Sequence, residues 1–113
     1  MDTRRIKNRD TGYTDTLDLV VTALCADYAR RESALRDADM TTRVAMEYRY
    51  LNFRIFEAAA EIAGERYARI YIDEIGRHIG YANSDIPAIS ESTYKLEKQQ
   101  IKLAIARKLY VLY

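Results

Sequence analysis

The longest periodic stretch of this sequence, residues 44–62, constrains the fold more than any other feature. Apolar side chains recur there at alternating intervals of four and three residues: Val44, Tyr48, Leu51, Ile55, Ala58 and Ile62. This spacing places one continuous apolar stripe along an α-helix. A second apolar set widens the stripe to more than half of the circumference: Met46, Tyr50, Phe53 and Ala60. We therefore predict a central helix from Thr41 or Thr42 to about Ala63 that other helices cover on two sides.

The preceding segment carries a similar stripe. Its apolar members are spaced by four, three, four and seven residues: Leu17, Val21, Leu24, Tyr28 and Leu35. They predict a helix that begins near Thr14 to Thr16 and packs antiparallel on the central helix. Arg31 interrupts its apolar stripe. Cys25 lies within this stripe, which indicates a small buried side chain rather than a reactive thiol. The polar residues 36–39 predict the break between the two helices.

Residues 65–79 follow Gly64, which we expect to end the central helix with a positive φ. The apolar positions Tyr67, Ile70, Tyr71, Ile75 and Ile79 fit one helix, and they fit equally a broken helix whose second piece is capped by Asp73. Gly76 predicts a close crossing by another helix. Gly80 predicts the stop of this segment.

The last helix has two candidate starts, because residues 81–89 exceed the three or four residues of a standard helix-turn-helix turn. Ser90 caps it in one interpretation. In the other, Ser84 caps it, Pro87 lies in the first turn, and Ile86, Ile89 and Leu96 extend the buried face. We favour Ser90. On that helix the following side chains point toward the core: Tyr94, Ile101, Ile105, Leu109 and Leu112.

Length, cysteine content and hydropathy narrow the class of protein. The 113 residues suffice for one domain and not for two. The single cysteine excludes an intrachain disulfide and a thiolate metal cluster. No apolar run approaches the roughly 20 residues that span a bilayer. Met1 leads into Asp2, Arg4, Arg5 and Lys7 without an apolar signal region. We therefore expect a soluble, cytoplasmic protein that does not contact a membrane.

The charges are unevenly distributed although the formal net charge is only +1. Residues 1–13 carry four cations and two anions, and residues 89–113 carry five cations and two anions. The chain between them has nine cations and thirteen anions. Both basic regions are terminal, so the electrostatic footprint is local. Nonspecific affinity for DNA should therefore be weak and strongly dependent on salt.

An enzymatic site is hard to assemble from these residues. His78 is the only histidine, so neither a two-histidine metal site nor a nucleophile, base and orienting group is available. Glu57 and Glu61 lie one helical turn apart, but ion pairs with Arg54 and its neighbours explain them better than a metal does. A phosphate-binding loop with its lysine is also missing from the sequence. We expect no catalysis, no cofactor and no bound metal.

The C-terminal part of the sequence contains four short motifs: Glu74-Ile75-Gly76, Ile79-Gly80, Ser90-Glu91-Ser92-Thr93-Tyr94-Lys95 and Ile105-Ala106-Arg107-Lys108-Leu109. Together they resemble the helix-turn-helix of sigma-factor region four. The pattern is more particularly similar to that of small phage regulators of the ArpU and RinA kind. The likeness covers about 40 residues and departs from the family at Gly76, where alanine is usual, and in the extra residues before Ser90. It implies a DNA-binding regulator that possesses no other sigma-factor region and that touches RNA polymerase in some members.

The sequence thus predicts an all-α protein of four or five helices: a flexible basic arm (residues 1–13) and one helical domain (14–113), with a helical hairpin (14–64) packed on a helix-turn-helix module (65–113). The expected function is sequence-specific binding of double-stranded DNA as a transcriptional regulator of a bacterium, phage or mobile element. RNA polymerase and a second copy of the chain are further candidate partners, and the sequence leaves the oligomeric state open. The alternative is a helical protein-interaction or dimerisation module that uses the apolar stripes and the aromatic C-terminus. The expected DNA-contacting residues lie along the last helix: Glu91, Ser92, Thr93, Lys95, Lys98, Gln99 and Lys102.

Overall fold

The computed structural model describes residues 12–110, and all the regular secondary structure in this part of the chain is helical, which confirms the predicted all-α class. It contains one 3-10 turn, Tyr81–Asn83, and no strand. The five α-helices are α1 (Asp15–Ala26), α2 (Tyr28–Ala34), α3 (Thr42–Ala63), α4 (Glu65–Gly76) and α5 (Glu91–Leu109). The prediction of a basic arm concerns residues 1–13, of which 1–11 lie outside the described residues. Tyr13 was assigned to that arm and is instead buried in the core.

The central position of α3 is confirmed. Its hydroxyl cap, Thr41, accepts a hydrogen bond from the backbone N–H of Val44 at 3.4 Å. Ile55, Ala58 and Ala59 are completely buried, because α4 and α5 pack on this face along the C-terminal half of the helix. Gly64 follows with φ 84°, a positive value as predicted, although its ψ of 157° is extended rather than helical. Through this one residue α3 passes into α4 without a loop.

The second apolar stripe of α3 is not covered, so the prediction of burial on two sides is wrong for this part. Met46, Tyr50 and Phe53 are 63%, 51% and 62% exposed. The reason lies in the neighbouring helices: α4 and α5 occupy the face of Ile55 and Ala58, and the short helix α2 contacts α3 near Asn52. No described helix lies over the stripe.

The N-terminal helix was predicted to pack on α3 along its whole length, and only its second half does so. The N-terminal helix breaks at Asp27, and α1 packs mainly on α4 and α5 while α2 packs on α3. Arg31, which interrupts the apolar stripe, is buried at this junction. Its guanidinium donates to the Leu24 carbonyl at 2.6 Å, to Asn52 Oδ1 at 2.8 Å and to Asp27 Oδ2 at 3.2 Å. A buried charge needs such partners, so the junction is polar where the pattern predicted continuous apolar packing.

The crossing predicted at Gly76 is confirmed and involves the end of α1. A Cβ atom built on Gly76 would lie 2.5 Å from the Ala26 nitrogen and 2.8 Å from the Cys25 carbonyl carbon. Van der Waals contact between such atoms requires more than 3 Å. Only glycine therefore allows the backbones of α1 and α4 to approach this closely.

The end of α4 settles two predictions about residues 65–79. The helix runs unbroken past Asp73, whose carboxylate pairs with Arg77 at 3.1 Å instead of capping a second piece. The prediction that Gly80 stops the helix is wrong, since Gly80 is extended at φ −91°. His78 holds the left-handed position with φ 57°. The N–H groups of His78 and Ile79 bond the carbonyls of Ile75 and Glu74, the pattern of a Schellman C-cap.

Cys25 is buried, as the sequence predicted, and burial raises the pKa of its thiol to about 12. Relative to an ordinary pKa of 9.0, the thiolate population at pH 8 falls about a thousandfold. We expect the native protein to react with a disulfide reagent at least about 100 times more slowly than the urea-unfolded chain. Stopped-flow absorbance of the released thiolate reports both rates. Equal rates in the two states would contradict the burial of this side chain.

No helix within residues 12–110 combines the length and the apolar character that crossing a bilayer requires.

Candidate nucleic-acid interface

The start of α5 is fixed by Ser90, which confirms the favoured of the two predicted starts. The Ser90 hydroxyl accepts a hydrogen bond from the backbone N–H of Thr93 at 3.2 Å. Residues 77–90 therefore form the whole connection between α4 and α5. This connection is longer than a helix-turn-helix turn, and each of the two helices packs chiefly on α3 rather than along the other.

Side chains bridge α4 and α5 where the helices themselves stay apart. The rings of Tyr71 and Tyr94 stack with their centroids 5.6 Å apart. The Tyr71 hydroxyl donates to the Glu97 carboxylate. Desolvation, followed by this hydrogen bond, raises the pKa of Tyr71 above its ordinary value. Both tyrosines were predicted as packing residues, and this contact gives their hydroxyl groups polar partners as well.

Glu74 is the polar centre of this region and is only 2% exposed. Its Oε1 accepts hydrogen bonds from the Ser84 hydroxyl at 2.6 Å and from the Tyr94 hydroxyl at 2.7 Å. Its Oε2 accepts one from the backbone N–H of Asp85 at 2.6 Å. Burial, followed by the bond to Glu74, raises the pKa of Tyr94 to about 12. One carboxylate thus joins α4, the connecting segment and α5.

The sequence pattern did not reveal this role of Glu74. It occurs in the Glu74-Ile75-Gly76 part of the resemblance, where nothing distinguishes it from a surface carboxylate. A usable signal was its position one residue before Ile75 on the buried side of an apolar helix. Ile86 of the connecting segment is also buried, as the rejected Ser84 interpretation required, although Leu96 is exposed.

The first turn of α5 projects from the fold. All four polar side chains predicted there are exposed: Glu91, Ser92, Thr93 and Lys95. Lys95 and Glu91 form an ion pair of 3.4 Å across one helical turn. The opposite side of the helix is anchored, because Tyr94, Ile101 and Ile105 are buried in the core as predicted. Leu109 is partly buried, and Leu112 lies outside the described residues.

Lys98, Gln99 and Lys102, also predicted among the DNA-contacting residues, are less exposed than the first turn. Lys98 is half-buried: its Nζ donates to the Ile79 carbonyl at 2.7 Å and lies 5.1 Å from the centre of the Tyr94 ring. The Lys102 side chain is only 15% exposed and pairs with Asp18 at 3.4 Å. Gln99 is half-buried. The connecting segment and α1 cover these residues, and a helical stripe alone does not predict the position of either element.

Electrostatics follow from this burial. Desolvation lowers the pKa of Lys98, and the positive charge of Lys102 lowers it further, against a smaller opposing effect of Glu74. The Oε1 atom of Gln99 is buried and has no hydrogen-bond partner among residues 12–110. Four side chains of α5 line a shallow hollow of about 160 Å³: Lys95, Lys98, Gln99 and Lys102.

Arg77 and His78 belong to the C-cap of α4, and sequence analysis did not include them among the site residues. The Arg77 side chain pairs with Asp73 and lines a separate hollow with residues of α1 and α2, among them Ala26 and Tyr28. Both are exposed at the end of α4. They immediately precede Ile79, whose carbonyl binds Lys98, so the C-cap of α4 lies beside α5. The Arg-His pair after Gly76 was the available signal, but its proximity to α5 depends on the path of the connecting segment.

The carboxylates weighed as metal ligands take part in ion pairs instead. Lys108 Nζ lies 3.0 Å from Glu57 and 2.9 Å from Glu61, and Arg54 also donates to Glu57 at 3.0 Å. These contacts connect α3 to the C-terminal part of α5. Within residues 12–110, no three histidine, cysteine or carboxylate side chains are grouped as metal ligands would be.

Comparison with known protein families, curated proteins and solved structures gives no match.

Proposed function

We propose that the protein binds double-stranded DNA through the N-terminal half of α5 and acts as a transcriptional regulator. The observation that supports this proposal most is the contrast between the two sides of α5. Ser92, Thr93 and Lys95 are exposed at the start of a 19-residue helix. The other side of that helix is fixed in the core by Tyr94, Ile101 and Ile105. A helix held in this way can enter the major groove with its first turns.

The geometry favours a smaller set of base-contacting residues than the sequence did. Ser92 and Thr93 offer hydroxyl groups to base edges, and Lys95 is a donor for guanine O6 and N7. Glu91 pairs with Lys95, so in this proposal it orients the lysine. Recognition of RNA polymerase and pairing of two copies on a two-fold site belong to the same proposal, through the sigma-like resemblance.

The test is fluorescence anisotropy on random duplex fragments across a salt series, with two charge reversals compared. One variant, Lys95→Glu, alters the proposed face, where the side chain is 63% exposed. The matched control, Arg43→Glu, makes the same charge change at an exposed position outside α5, which is also paired with a glutamate one turn away.

We expect wild-type binding to weaken steeply with salt, because it releases counterions. The first variant should lose at least about tenfold in affinity at low salt and the control less than about threefold. Two results would count against the proposal: no wild-type binding at low salt, or equal losses in both variants.

A second candidate function is a protein-interaction module, favoured by the uncovered stripe Met46, Tyr50 and Phe53 of α3. Adjacent exposed apolar side chains of this size are typical of interaction surfaces. Self-association measured by sedimentation, together with absent DNA binding at low salt, would favour this candidate. Dimerisation alone fits both functions.

A further inference from the structure

We propose that the hollow formed by Lys95, Lys98, Gln99 and Lys102, here called the lysine groove, is a binding site for one phosphate group of a DNA strand. This inference rests on the proposed function and divides α5 into two parts. Ser92 and Thr93 in the first turn would contact bases, Lys98 and Lys102 would hold the sugar-phosphate backbone, and Lys95 lies where the two parts meet. Phosphate contacts of this kind fix the register of a protein on the duplex without reading its sequence.

The charge balance of the lysine groove supports an anionic ligand. Three lysine side chains line it at positions i, i+3 and i+7 of one helix. Lys95 pairs with Glu91, and Lys102 pairs with Asp18. The hydrogen-bond partner of the Lys98 ammonium is neutral, the Ile79 carbonyl, and the Glu74 charge acts on this lysine less than Lys102 does. Lys98 is therefore the one of the three that has no ion pair in the contacts of residues 12–110.

Lys98 is held in position before any ligand arrives. Its hydrogen bond to Ile79 and its place beside the Tyr94 ring restrict a side chain that is usually mobile. An ammonium has three donor hydrogens, so the bond to Ile79 leaves two for phosphate oxygens. Little side-chain entropy remains to be lost on binding, in contrast to a lysine that extends freely into solvent.

The repulsion between Lys98 and Lys102 provides a second reason. Burial and the neighbouring positive charge both disfavour the protonated form of Lys98, which lowers its pKa. An anion bound between the two ammonium groups would reverse this effect, because it stabilises both charges at once. The lysine groove is therefore more favourable to an anion than three separated surface lysines are.

Gln99 is the neutral residue of the same site. It lines the hollow together with the three lysines, and its side-chain amide has two N–H donors. A phosphate oxygen is an acceptor for such a donor.

The size of the hollow agrees with a small ligand. Its volume is about 160 Å³, whereas sites for drug-sized molecules usually measure roughly 300–1,000 Å³. One phosphate group with its adjoining ester atoms fits this scale, and a whole nucleotide does not.

The first part of the test measures DNA binding by Lys98→Gln and Lys102→Gln against Arg107→Gln. Arg107 is an exposed cation of the same helix outside the groove, so its loss is a matched control. We expect each groove variant to reduce the salt dependence of log K by about one and the affinity by roughly three- to tenfold, equally on all duplex sequences. Circular dichroism melting verifies that each variant is folded. Unchanged slopes in both groove variants would overturn the assignment to DNA phosphate.

The second part does not depend on DNA. Titration of the ¹⁵N-labelled protein with inorganic phosphate, against chloride at equal ionic strength, should shift the Gln99 side-chain NH₂ signals and the amides of residues 95–102. The shifts should vanish in Lys98→Gln and persist in Arg107→Gln. Absent shifts, or shifts that survive in Lys98→Gln, would overturn the site.

The two measurements separate the two hypotheses. Local phosphate shifts without any DNA binding would retain the anion site and refute its DNA ligand together with the proposed function. DNA binding with unaffected slopes and no phosphate shifts would refute the lysine groove alone.

Discussion

Replacement of Gly76 by alanine will destabilise the protein by about 1–3 kcal/mol, the usual cost of inserting a methyl group into a packed region. The new Cβ atom would meet the backbone of Ala26 at 2.5 Å and 2.6 Å. Backbone atoms cannot rotate away as a side chain does, so α1 and α4 must separate. The higher helix propensity of alanine offsets at most about 1 kcal/mol of this cost. Urea denaturation monitored by circular dichroism measures the difference.

Gly80→Ala is the matched control, because nothing lies within 4 Å of a Cβ atom at that position and φ is negative. Its stability should remain within about 0.5 kcal/mol of wild type. An equal or larger loss in Gly80→Ala would show that the close crossing of α1 and α4 does not explain the requirement for glycine.

Glu74→Ala should cost about 3 kcal/mol or more, since a buried donor left without a partner typically costs about 1–3 kcal/mol. The substitution removes the acceptor of three hydrogen bonds, from Ser84, Asp85 and Tyr94. Glu74→Gln should destabilise less. Its oxygen can still accept from the Asp85 N–H and its NH₂ group can donate to the hydroxyl oxygens of Ser84 and Tyr94, but the three bonds lose the strength that the carboxylate charge gives them. The neighbouring substitution Asp73→Asn affects only an exposed ion pair with Arg77 and should change stability by less than about 1 kcal/mol.

A second measurement on Glu74→Gln tests its positioning role. At a temperature where this variant is still folded, its Tyr94 and Ser84 contacts are weakened and α5 is less firmly held. DNA affinity should fall more than in Asp73→Asn at equal net charge change. If the two variants have the same stability and the same affinity, Glu74 does not position α5.

Local pattern predicted the helices of this protein well. The interval of four and three residues identified α3 within one residue of its observed bounds, and serine and threonine side chains identified the starts of α1, α3 and α5. These features depend on neighbours along the chain, which a sequence displays directly. The crossing at Gly76 was likewise predicted, since only a missing side chain permits such an approach.

The incorrect predictions concern contacts between distant residues. Periodicity indicates that Met46 and Phe53 share a face, but not that residues 12–110 place no helix over it. Lys98 and Lys102 follow the outward spacing of α5, yet Ile79 and Asp18 reach them from elsewhere. His78 and not Gly80 has the positive φ, because the hydrogen bonds that cap α4 form at His78 and Ile79. The sequence does not show at which residue such a cap forms.

Helix α5 is attached to the rest of the protein along its whole length. Tyr94 bonds Glu74 near its start, Ile101 and Ile105 are buried in its middle, and Lys108 bonds α3 near its end. A partner that binds this helix would meet a surface already in its final shape, so association should proceed as a single step without a slow conformational phase. Any free-energy cost of a conformational change on binding would then arise in the partner and not in α5.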